Sequence, residues 1–564
     1  MRKAGRMGFS LVAAFVAAAL VGCSLIRPKE RQMESASLWP VDPLMKVFRD
    51  TTPPAEPAPP FEAIAARNEY ESAQFVLRAG APLTGIRARV EGLAEAQVHF
   101  VGFVPLRVNT RRTPDDEVVR KAPGFFPDPL LPPALEKLDA DSSQPVFVTF
   151  HVPKGQRPGV RKARLVVEAD QGRLEQPFTV RVAKATLPDE RVLAVTNWFA
   201  ATGSRLKSFH GADDWSDAHW KVLEHYARVM AAYRQNVVLT PIYQLVDFSV
   251  GPDGKLAFGF ERFDRWVKLF QAAGVIGQIE GGHLGTRPGG AWTAPQFEIR
   301  LRAVEGDRVV SRVGAPGEPA VEEFLSQFLP AIEKHLAERG WLGIYTQHLC
   351  DEPIKENAES YRTLATLVRK HAPKLRRIDA NHCAALIGSI DVWVPQLNYY
   401  DQALDFYRER QEAGDEVWIY TCLAPTGTYP NRLIDYSLLK VRLLHWVNFR
   451  FGATGYLHWG WNQWSVKDPF ADVEPPHGQG VFLPPGDAWI VYPSKEHVLL
   501  SSLRFEAMRD GIEDHELLRL LATKSPDRAQ ALAERLVPKI AAPEKDVAKF
   551  RQVRKDLLEA LAEP

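Results

Sequence analysis

The sequence contains little cysteine, and this scarcity limits both its disulfide chemistry and its metal chemistry. Its 564 residues include four cysteines, at positions 23, 350, 383 and 422. Setting aside Cys23, which lies in the N-terminal leader, leaves three, and an odd number does not build a framework of paired disulfides. The spacing of Cys350, Cys383 and Cys422 matches no zinc-binding pattern, and each lies in or beside an apolar run. We therefore expect small buried thiols, and the sequence leaves open whether any two of them pair.

An excess of charge of one sign is also missing. The 70 basic and 69 acidic residues give a net charge of +1, and no basic tract stands out, so nucleic acid is not an expected partner. The chain has no His/Asp cluster at metal-ligand spacing, no glycine-rich phosphate loop and no Gly-x-Ser-x-Gly nucleophile elbow. We therefore expect no metal and no cofactor, and a redox or phosphoryl-transfer site is disfavoured.

The first 22 residues have the three parts of an export signal. Basic residues at 2, 3 and 6 precede an apolar run at 9–21 that is too short to span a bilayer. The run ends in Leu-Val-Gly-Cys at 20–23, which resembles the bacterial lipobox. In that family of signals the cysteine receives a diacylglyceryl thioether and becomes the mature N-terminus. An ordinary signal peptide or a buried apolar helix is the alternative.

This leader predicts where the protein is found. We expect a signal peptide over residues 1–22, lipidation at Cys23, and a flexible tether over 23–38. The lipid would hold a soluble body at a membrane surface outside the cytoplasm. The serine at position 24 resembles the pattern that directs bacterial lipoproteins to the outer membrane, so an exported bacterial lipoprotein at the outer membrane or cell surface is the expectation.

Residues 39–187 are predicted to form a β-sandwich domain. A proline-rich segment at 51–60 is followed by short stretches in which apolar and polar residues alternate, with turn residues between them. Period-two alternation with few helical stretches is typical of two packed antiparallel sheets. The clearest stretches are 71–77, 86–90, 146–152, 163–168 and 178–182.

Residues 188–493 change character and predict a (β/α)8 TIM-like barrel. Apolar strand-like runs now alternate with amphipathic helical stretches such as 220–234, 321–339, 358–371 and 433–451, which is the pattern of parallel β/α units. The longest insertion lies in the third unit, at 286–317, and residues 494–564 form a helical C-terminal extension. Eight candidate strands are found, at 193–199, 236–242, 275–282, 343–350, 376–380, 392–399, 416–423 and 455–461.

The strand ends carry aromatic rings, amides and carboxylates. In such a barrel the loops after the strands converge on one mouth, where the chemistry takes place. Rings that stack on sugar faces, beside amides and acids that bind hydroxyls, suit a carbohydrate, whereas ordinary packing of the barrel rim is the alternative. The residues concerned are Asn197, Trp198, Tyr243, Glu280, His283, Asp351, Glu352, Asp379, Asn381, His382, Asn398, Tyr399, Tyr400, Tyr420 and the run from His458 to Trp464.

The most informative of these residues are the adjacent acids Asp351 and Glu352, which end the apolar run 343–350. Neighbouring strand residues point apart, so the two carboxylates do not naturally face each other across a glycosidic bond. An adjacent pair suits substrate assistance, in which the 2-acetamido oxygen of the sugar attacks the anomeric carbon. One carboxylate then orients the amide, and the other, with a raised pKa, is the general acid/base. The alternative is that Asp351 caps the next helix and Glu352 faces water.

Several motifs together resemble glycoside hydrolase family 123 and the related DUF4091 domain. They are the acid pair on the fourth strand and the segments 67–74, 455–462, 486–493 and 503–514. The resemblance covers most of the chain from about residue 40 to 525. It implies a retaining exo-β-N-acetylgalactosaminidase that uses substrate assistance, with Asp351 orienting the acetamido group and Glu352 as general acid/base.

Supporting roles at the mouth are predicted for five further residues. Tyr399 or Tyr400 is expected to donate to the acetamido oxygen, and Asn398 to bind a sugar hydroxyl. Trp459 and Trp461 share a strand face, so we expect one of them to form the sugar platform. For each of these residues, packing in the core or at a turn is the alternative.

Two other functions remain open from the sequence. One is a conventional two-carboxylate glycosidase for a different sugar, with Glu352 as acid and Glu280 or Asp379 as nucleophile. The other is a non-catalytic surface lipoprotein that binds glycans through its aromatic mouth. The expected partners are an N-acetylated amino sugar glycan and, through the lipid, a membrane; the oligomeric state is left undecided.

Overall fold

The structure is a computed structural model that describes residues 33–477 and 480–563. The expected signal peptide (1–22), the lipidation site Cys23 and most of the expected tether lie outside these described residues. The last part of the expected tether is structured, because the strand Ala36–Val41 pairs with the strand Glu69–Ala79. Of the helices in the described ranges, none has the length and apolarity needed to cross a bilayer.

The N-terminal domain is the predicted β-sandwich. Two five-stranded sheets, ordered β1-β3-β8-β5-β6 and β2-β10-β9-β4-β7, enclose an apolar core that includes Phe75, Phe150 and Phe178. Alternation places these rings inside while neighbours such as Arg181 point outward. The strands are β1 (Ala36–Val41), β2 (Phe61–Arg67), β3 (Glu69–Ala79), β4 (Leu83–Glu91), β5 (Gln97–Leu106), β6 (Gly124–Leu131), β7 (Ala134–Leu138), β8 (Ser142–Val152), β9 (Gly159–Ala169) and β10 (Gly172–Thr186).

The second domain is built from short parallel strands with helices between them. Each of the eight predicted runs contains a strand; β20 has the predicted bounds, and the strands in the other seven runs are shorter than predicted. The strands are β11 (Ala194–Asn197), β12 (Val237–Thr240), β13 (Asp247–Val250), β14 (Leu256–Gly259), β15 (Gln278–Gly281), β16 (Gly285–Thr286), β17 (Glu298–Glu305), β18 (Arg308–Gly314), β19 (Tyr345–His348), β20 (Arg376–Ala380), β21 (Val392–Val394), β22 (Glu416–Val417), β23 (Ile419–Tyr420), β24 (Gly455–His458), β25 (Tyr492–Ser494) and β26 (Val498–Leu500).

The parallel strands form two hydrogen-bonded sheets, ordered β12-β15-β19-β20-β21-β22 and β11-β24-β23. Around Trp418 the second sheet continues the first, because the Trp418 N–H donates to the Trp393 carbonyl at 2.8 Å. Between β11 and β12 the described residues form no ladder, and one backbone bond from Asn236 to the Val195 carbonyl, at 3.3 Å, connects them. The expected α/β architecture is therefore present, but a closed (β/α)8 barrel is not shown.

Twelve α-helices surround the sheets in the described residues. The four predicted helical stretches correspond to α2, α5, α6 and α9, with ends that differ from the predicted ones by up to five residues. The helices are α1 (Ser204–His210), α2 (Asp217–Ala232), α3 (Ile242–Leu245), α4 (Glu261–Ala272), α5 (Pro319–Glu338), α6 (Ala358–His371), α7 (Leu397–Gln402), α8 (Leu404–Glu412), α9 (Leu438–Phe451), α10 (Leu503–Ala522), α11 (Pro526–Leu536) and α12 (Val547–Ala562).

One predicted strand is half helix, and this is a correction. The run 392–399 was expected to be a strand throughout, but β21 ends at Val394 and α7 begins at Leu397. Pro395 follows β21 directly, and since proline has no N–H to donate to the ladder, the strand stops there. The expected site residues 398–400 are therefore on a helix and not at a strand end.

The helical C-terminal region joins the two domains. Arg504 on α10 is fully buried, and its guanidinium binds both carboxylate oxygens of Asp128 on β6 at 2.8 Å. The same guanidinium also donates to the carbonyls of Gly486 and Trp489. A second buried cation, Arg554 on α12, pairs with Glu69 of the sandwich and Asp514 of α10. These pairs fix the sandwich against the α/β domain.

The insertion in the third unit forms a small sheet of its own. Strands β16, β17 and β18 pair antiparallel, and β16 starts just after the end of β15. Ile299 and Leu301 on β17 point into the core, while Arg300 between them is exposed. This β16–β18 sheet therefore stands beside the ends of the parallel strands.

Candidate active site

The acid pair lies directly after β19, at the carboxyl end of the parallel sheet. Leu349 and Cys350 continue the chain, and their backbone N–H groups donate to one oxygen of Asp379 at 3.0 and 3.4 Å. Glu352 then adopts a φ of +46°, a left-handed conformation that is uncommon for a residue with a side chain. Such a conformation persists only where its surroundings hold it, and it is found preferentially at functional sites.

Arg287 holds this turn from the side of the β16–β18 sheet. Its guanidinium donates to the backbone carbonyls of Asp351 at 2.8 Å and Glu352 at 2.5 Å. The third donor, Nε, binds the carbonyl of Trp292 at 3.2 Å, and the guanidinium lies 4.2 Å from the centre of the Trp292 ring. All three acceptors are neutral, so Arg287 fixes the direction of both acids without neutralising either carboxylate.

Glu352 has the properties of a general acid. Tyr420, at the end of β23, donates its hydroxyl to the Glu352 carboxylate, and Gln396 donates to the Tyr420 hydroxyl oxygen at 3.2 Å. Burial, followed by the charge of Asp351, raises the pKa of Glu352 to about 7, against the opposing hydrogen bond from Tyr420. A carboxyl with this pKa still carries its proton near neutral pH and can donate it.

Asp351 has a different environment. Its side chain keeps 48% of its exposure, and one oxygen lies 4.0 Å from Nε2 of His283. Burial of the group, followed by the charge of Asp379, raises the pKa of Asp351 to about 6, while His348 and Arg287 act in the opposite direction. Because the charge of Asp351 disfavours ionisation of Glu352, the two acids titrate as one coupled pair, which gives up its two protons in separate steps.

Two carboxylates considered as alternative nucleophiles are buried beneath the site. Nδ1 of His348 binds Asp379 at 2.8 Å and Nε2 binds Glu280 at 2.7 Å, and all three side chains are inaccessible. Glu280 also accepts from the Trp198 indole at 2.8 Å, and Asp379 accepts from the Tyr361 hydroxyl at 2.5 Å. Their oxygens are fully used in this network, so neither is placed to attack a sugar.

The same network includes three side chains of the types that bind metal ions in proteins. Ligand atoms of His283, His348 and Asp379 lie within 4.8 Å of one another. The hydrogen bonds to Asp379 and Glu280 raise the pKa of His348 to about 10 in spite of its burial. Each ring nitrogen lies at hydrogen-bond distance from a carboxylate, which is the arrangement that favours a protonated ring. The geometry makes His348 a buried cation that compensates two carboxylates.

A cavity of about 620 Å³ opens beside Asp351, within the range of small-molecule binding sites. It lies between the loops after β11, β12 and β15 and the β16–β18 sheet. Its walls include the rings of Trp198, Tyr243 and Trp292, together with the guanidinium groups of Arg287 and Arg300. Rings and hydrogen-bonding groups around one acid are the components of a carbohydrate site.

Three of the predicted binding residues lie near the mouth without contacting the acid pair. Tyr399 is 37% exposed and stacks on His382 with ring centres 3.8 Å apart. The amide oxygen of Asn398 is buried and has no partner among the described residues. Trp459 is half-buried, and its indole N–H donates to Asp487 at 3.2 Å. Their predicted roles remain predictions.

One member of each predicted pair belongs to the core, which leaves Trp459 and Tyr399 as the candidates for the two predicted roles. Trp461 is fully buried and packs against Tyr226 and Phe199, with ring centres 5.0 and 6.1 Å away. Tyr400 is also buried, and its hydroxyl donates to the carbonyl of Phe451 at 2.7 Å. Neither side chain reaches the mouth, because β24 ends at His458 and α7 turns Tyr400 inward.

Four residues around the acid pair had no predicted role. Arg287, Trp292 and Arg300 come from the insertion and reach the site only through the β16–β18 sheet. Tyr420 was among the strand-end residues, but nothing in the sequence indicated its bond to Glu352. Only the position of Tyr420 at the end of an apolar run provided a usable signal.

Comparison with known proteins supports a common origin of this domain with glycoside hydrolases. Residues 198–521, more than half of the chain, match the family described as glycoside hydrolase 123, catalytic domain. No curated protein matches the chain.

Solved structures agree at the level of the fold. A family 123 glycoside hydrolase from Clostridium perfringens, described in connection with glycolipid glycan hydrolysis, superposes with a TM-score of 0.71 at 15% identity, covering 94% of this chain and 97% of that one. At that identity the similarity shows the fold alone. A GH10 xylanase with a bacterial Ig-like domain from termite gut (TM-score 0.31, 10% identity, 81% and 100% covered) and a β-galactosidase from Marinomonas ef1 (0.35, 11%, 60% and 62%) are too distant to support an argument.

Proposed function

Since the chain belongs to glycoside hydrolase family 123, an enzyme family that hydrolyses glycans, we propose that it removes terminal β-linked N-acetylgalactosamine by substrate-assisted catalysis. The observation that carries this proposal is the difference between two neighbouring acids. Glu352 is half-buried and accepts a hydrogen bond from the Tyr420 hydroxyl, whereas Asp351 lines the cavity and lies 4.0 Å from Nε2 of His283. The pKa of each acid is raised, so the pair retains a proton near neutral pH, and the proposal places that proton on Glu352.

These two states match the two roles that substrate assistance requires. In the first step the acetamido oxygen forms a bond to the anomeric carbon, the glycosidic C–O bond breaks, and Glu352 gives its proton to the leaving oxygen. Asp351 accepts the acetamido N–H and stabilises the positive charge of the oxazolinium-like intermediate.

In the second step Glu352, now a carboxylate, takes a proton from a water molecule that attacks the anomeric carbon. The bond to the acetamido oxygen breaks, and the sugar leaves with its original anomeric configuration because two inversions have occurred. The position of Arg287 supports both steps, since it fixes the backbone of the two acids.

The location of the enzyme is part of the proposal. Lipidation at Cys23 would place the catalytic domain outside the cytoplasm at a membrane surface, where glycan chains of the cell's surroundings are accessible. Labelling with a radioactive or alkyne-bearing fatty acid, compared between the wild-type chain and Cys23→Ser, tests this directly. Equal labelling of the two would contradict lipidation at this residue.

The proposed activity is tested by comparing three chromogenic substrates on residues 24–564. These are the 4-nitrophenyl β-glycosides of N-acetylgalactosamine, N-acetylglucosamine and galactose. We expect hydrolysis of the acetamido sugars only, with N-acetylgalactosamine preferred, and its loss in Asp351→Asn and Glu352→Gln. Glu356→Gln is the matched control, because Glu356 is exposed four residues further along the chain. Comparable hydrolysis of the galactoside, or full activity in either variant, would contradict the proposal.

A further inference from the structure

Arg300 presents a positive charge to the cavity and has no acid to balance it. Its side chain is exposed on β17, and among the described residues no carboxylate forms an ion pair with it. Most surface arginines of this protein have such a partner, for example Arg312 with Glu305 on the same hairpin. Arg300 is exposed and is part of the lining of the cavity.

A second cation, Arg287, lines the same wall but already has acids beside it. Its donors bind the backbone carbonyls of Asp351, Glu352 and Trp292, and its charge lowers the pKa of both acids. Arg302, two residues beyond Arg300 on the same strand face, lies over the Phe248 ring at 5.2 Å, and no carboxylate pairs with it in the described ranges. Arg300 and Arg302 therefore form a row of cations on one face of β17, and Arg300 of this row lines the cavity of an almost neutral protein.

The position of this row is fixed by backbone pairing. Gly285 pairs with Ile299, and the Arg300 N–H donates to the Leu284 carbonyl at 3.4 Å. His283, which lines the same cavity, is the neighbour of Leu284 and lies 4.0 Å from Asp351. Asp351 and Arg300 therefore line one cavity, and a ligand bound in it with its cleaved bond at the acid pair can extend toward Arg300.

We propose that this cavity recognises glycans that carry an oxyanion, either a sulfate ester or a carboxylate, close to the cleaved bond, with Arg300 as the specificity-determining residue. This inference rests on the proposed glycosidase function and names its substrate class. A guanidinium binds sulfate and carboxylate oxygens through two parallel, charge-assisted hydrogen bonds.

The charge of Asp351 sets where the anion is placed. A second negative group beside Asp351 is repelled, so the oxyanion lies at the Arg300 end of the cavity and the acetamido group lies at the Asp351 end. The Asp351 end of the cavity therefore binds the acetamido group of a substrate, and the Arg300 end binds the oxyanion of the same substrate.

The test compares anionic substrates with their neutral parents. One pair is 4-nitrophenyl β-N-acetylgalactosaminide and its 6-sulfate; the other is a β-N-acetylgalactosaminyl disaccharide ending in glucose or in glucuronic acid. The first pair tests a sulfate ester on the cleaved sugar, and the second tests a carboxylate on its neighbour. The measured quantity is the ratio of kcat/KM for the anionic over the neutral member.

We expect the wild type to prefer the anionic member of at least one pair, and Arg300→Gln to reduce that ratio about tenfold, the effect of one charged hydrogen-bonded contact. Raising the salt concentration should reduce the ratio in the wild type and change it little in the variant. Arg308→Gln is the matched control, because Arg308 is 85% exposed and lies at the opposite end of the hairpin, beside the turn. It should leave the ratio unchanged.

The outcomes separate this inference from the proposed function. Hydrolysis of the neutral acetamido substrates with ratios near one that Arg300→Gln does not change would overturn the inference and leave the function standing. If no acetamido substrate is hydrolysed, the function fails, and titration calorimetry of the four compounds with Glu352→Gln decides the inference. Equal binding of anionic and neutral compounds there would overturn it.

Discussion

Replacing Tyr420 with phenylalanine should move the pH dependence of catalysis in a defined direction. Glu352 must be protonated to act as an acid, so kcat/KM falls as pH rises through its pKa of about 7. The buried Tyr420 hydroxyl donates to the Glu352 carboxylate and so favours the ionised form. Removing it leaves the ionised form less stable, the pKa of Glu352 rises, and the alkaline limb of the profile moves to higher pH.

The size of this effect follows from the bond that is lost. A hydrogen bond to a charged group contributes about 1.5–3 kcal/mol, and one pH unit corresponds to about 1.4 kcal/mol. Water that enters the vacated space recovers part of the loss, so we expect the limb to move up by about one pH unit. The ring itself is retained, so the packing of the site is not disturbed.

The assay is kcat/KM for 4-nitrophenyl β-N-acetylgalactosaminide across the neutral and alkaline range. Tyr429→Phe is the control, because that hydroxyl donates to Asp401 at 2.8 Å and not to Glu352. A limb that stays in place in Tyr420→Phe, or moves to lower pH, would refute the assignment of Glu352 as the acid held by Tyr420.

Three further predictions concern the turn, the domain contact and stability. Arg287→Gln should lower kcat by on the order of a hundredfold with little change in melting temperature, since the acids lose their fixed direction; unchanged kcat would contradict the role of Arg287. Arg504→Ala should lower the unfolding free energy by about 3–5 kcal/mol in urea, because Asp128 is left buried and unpaired, and a loss under 1 kcal/mol would contradict this. Glu352→Gln should raise the unfolding free energy by about 1–2 kcal/mol above pH 7, after allowance for solvent, and should leave it unchanged below pH 4.5, because only the ionised carboxylate of Glu352 destabilises the folded state. A gain in unfolding free energy that does not depend on pH would refute this.

The sequence predicts those parts of the fold that depend on local pattern. The eight apolar runs contain the nine strands of the two parallel sheets, with β22 and β23 in one run, because a strand covered on both faces needs continuous apolar residues. The acid pair could also be identified from the sequence, because two carboxylates directly after a continuous apolar run are unusual. Pro395 is a residue type that predicts the end of a strand. The residues after it continue the run, so the sequence did not show that α7 begins there.

Contacts between distant segments could not be predicted. Arg287 and Arg300 precede the acid pair by more than fifty residues, and only the pairing of the β16–β18 sheet brings them to it. Trp461 follows the aromatic pattern of a sugar platform, yet packing against Tyr226 buries it. Pattern shows which residue types are present, whereas tertiary packing decides which of them face the cavity.

The central claim is that the acetamido group of the substrate, and not a second carboxylate, attacks the anomeric carbon. It is tested most directly by kcat/KM for 4-nitrophenyl β-galactosaminides whose N-acetyl group carries zero, one, two or three fluorine atoms. Fluorine withdraws electrons from the amide oxygen, so substrate assistance predicts a steep fall in rate with each fluorine. Rates that stay level across the series would contradict the account and would indicate that a group of the protein is the nucleophile.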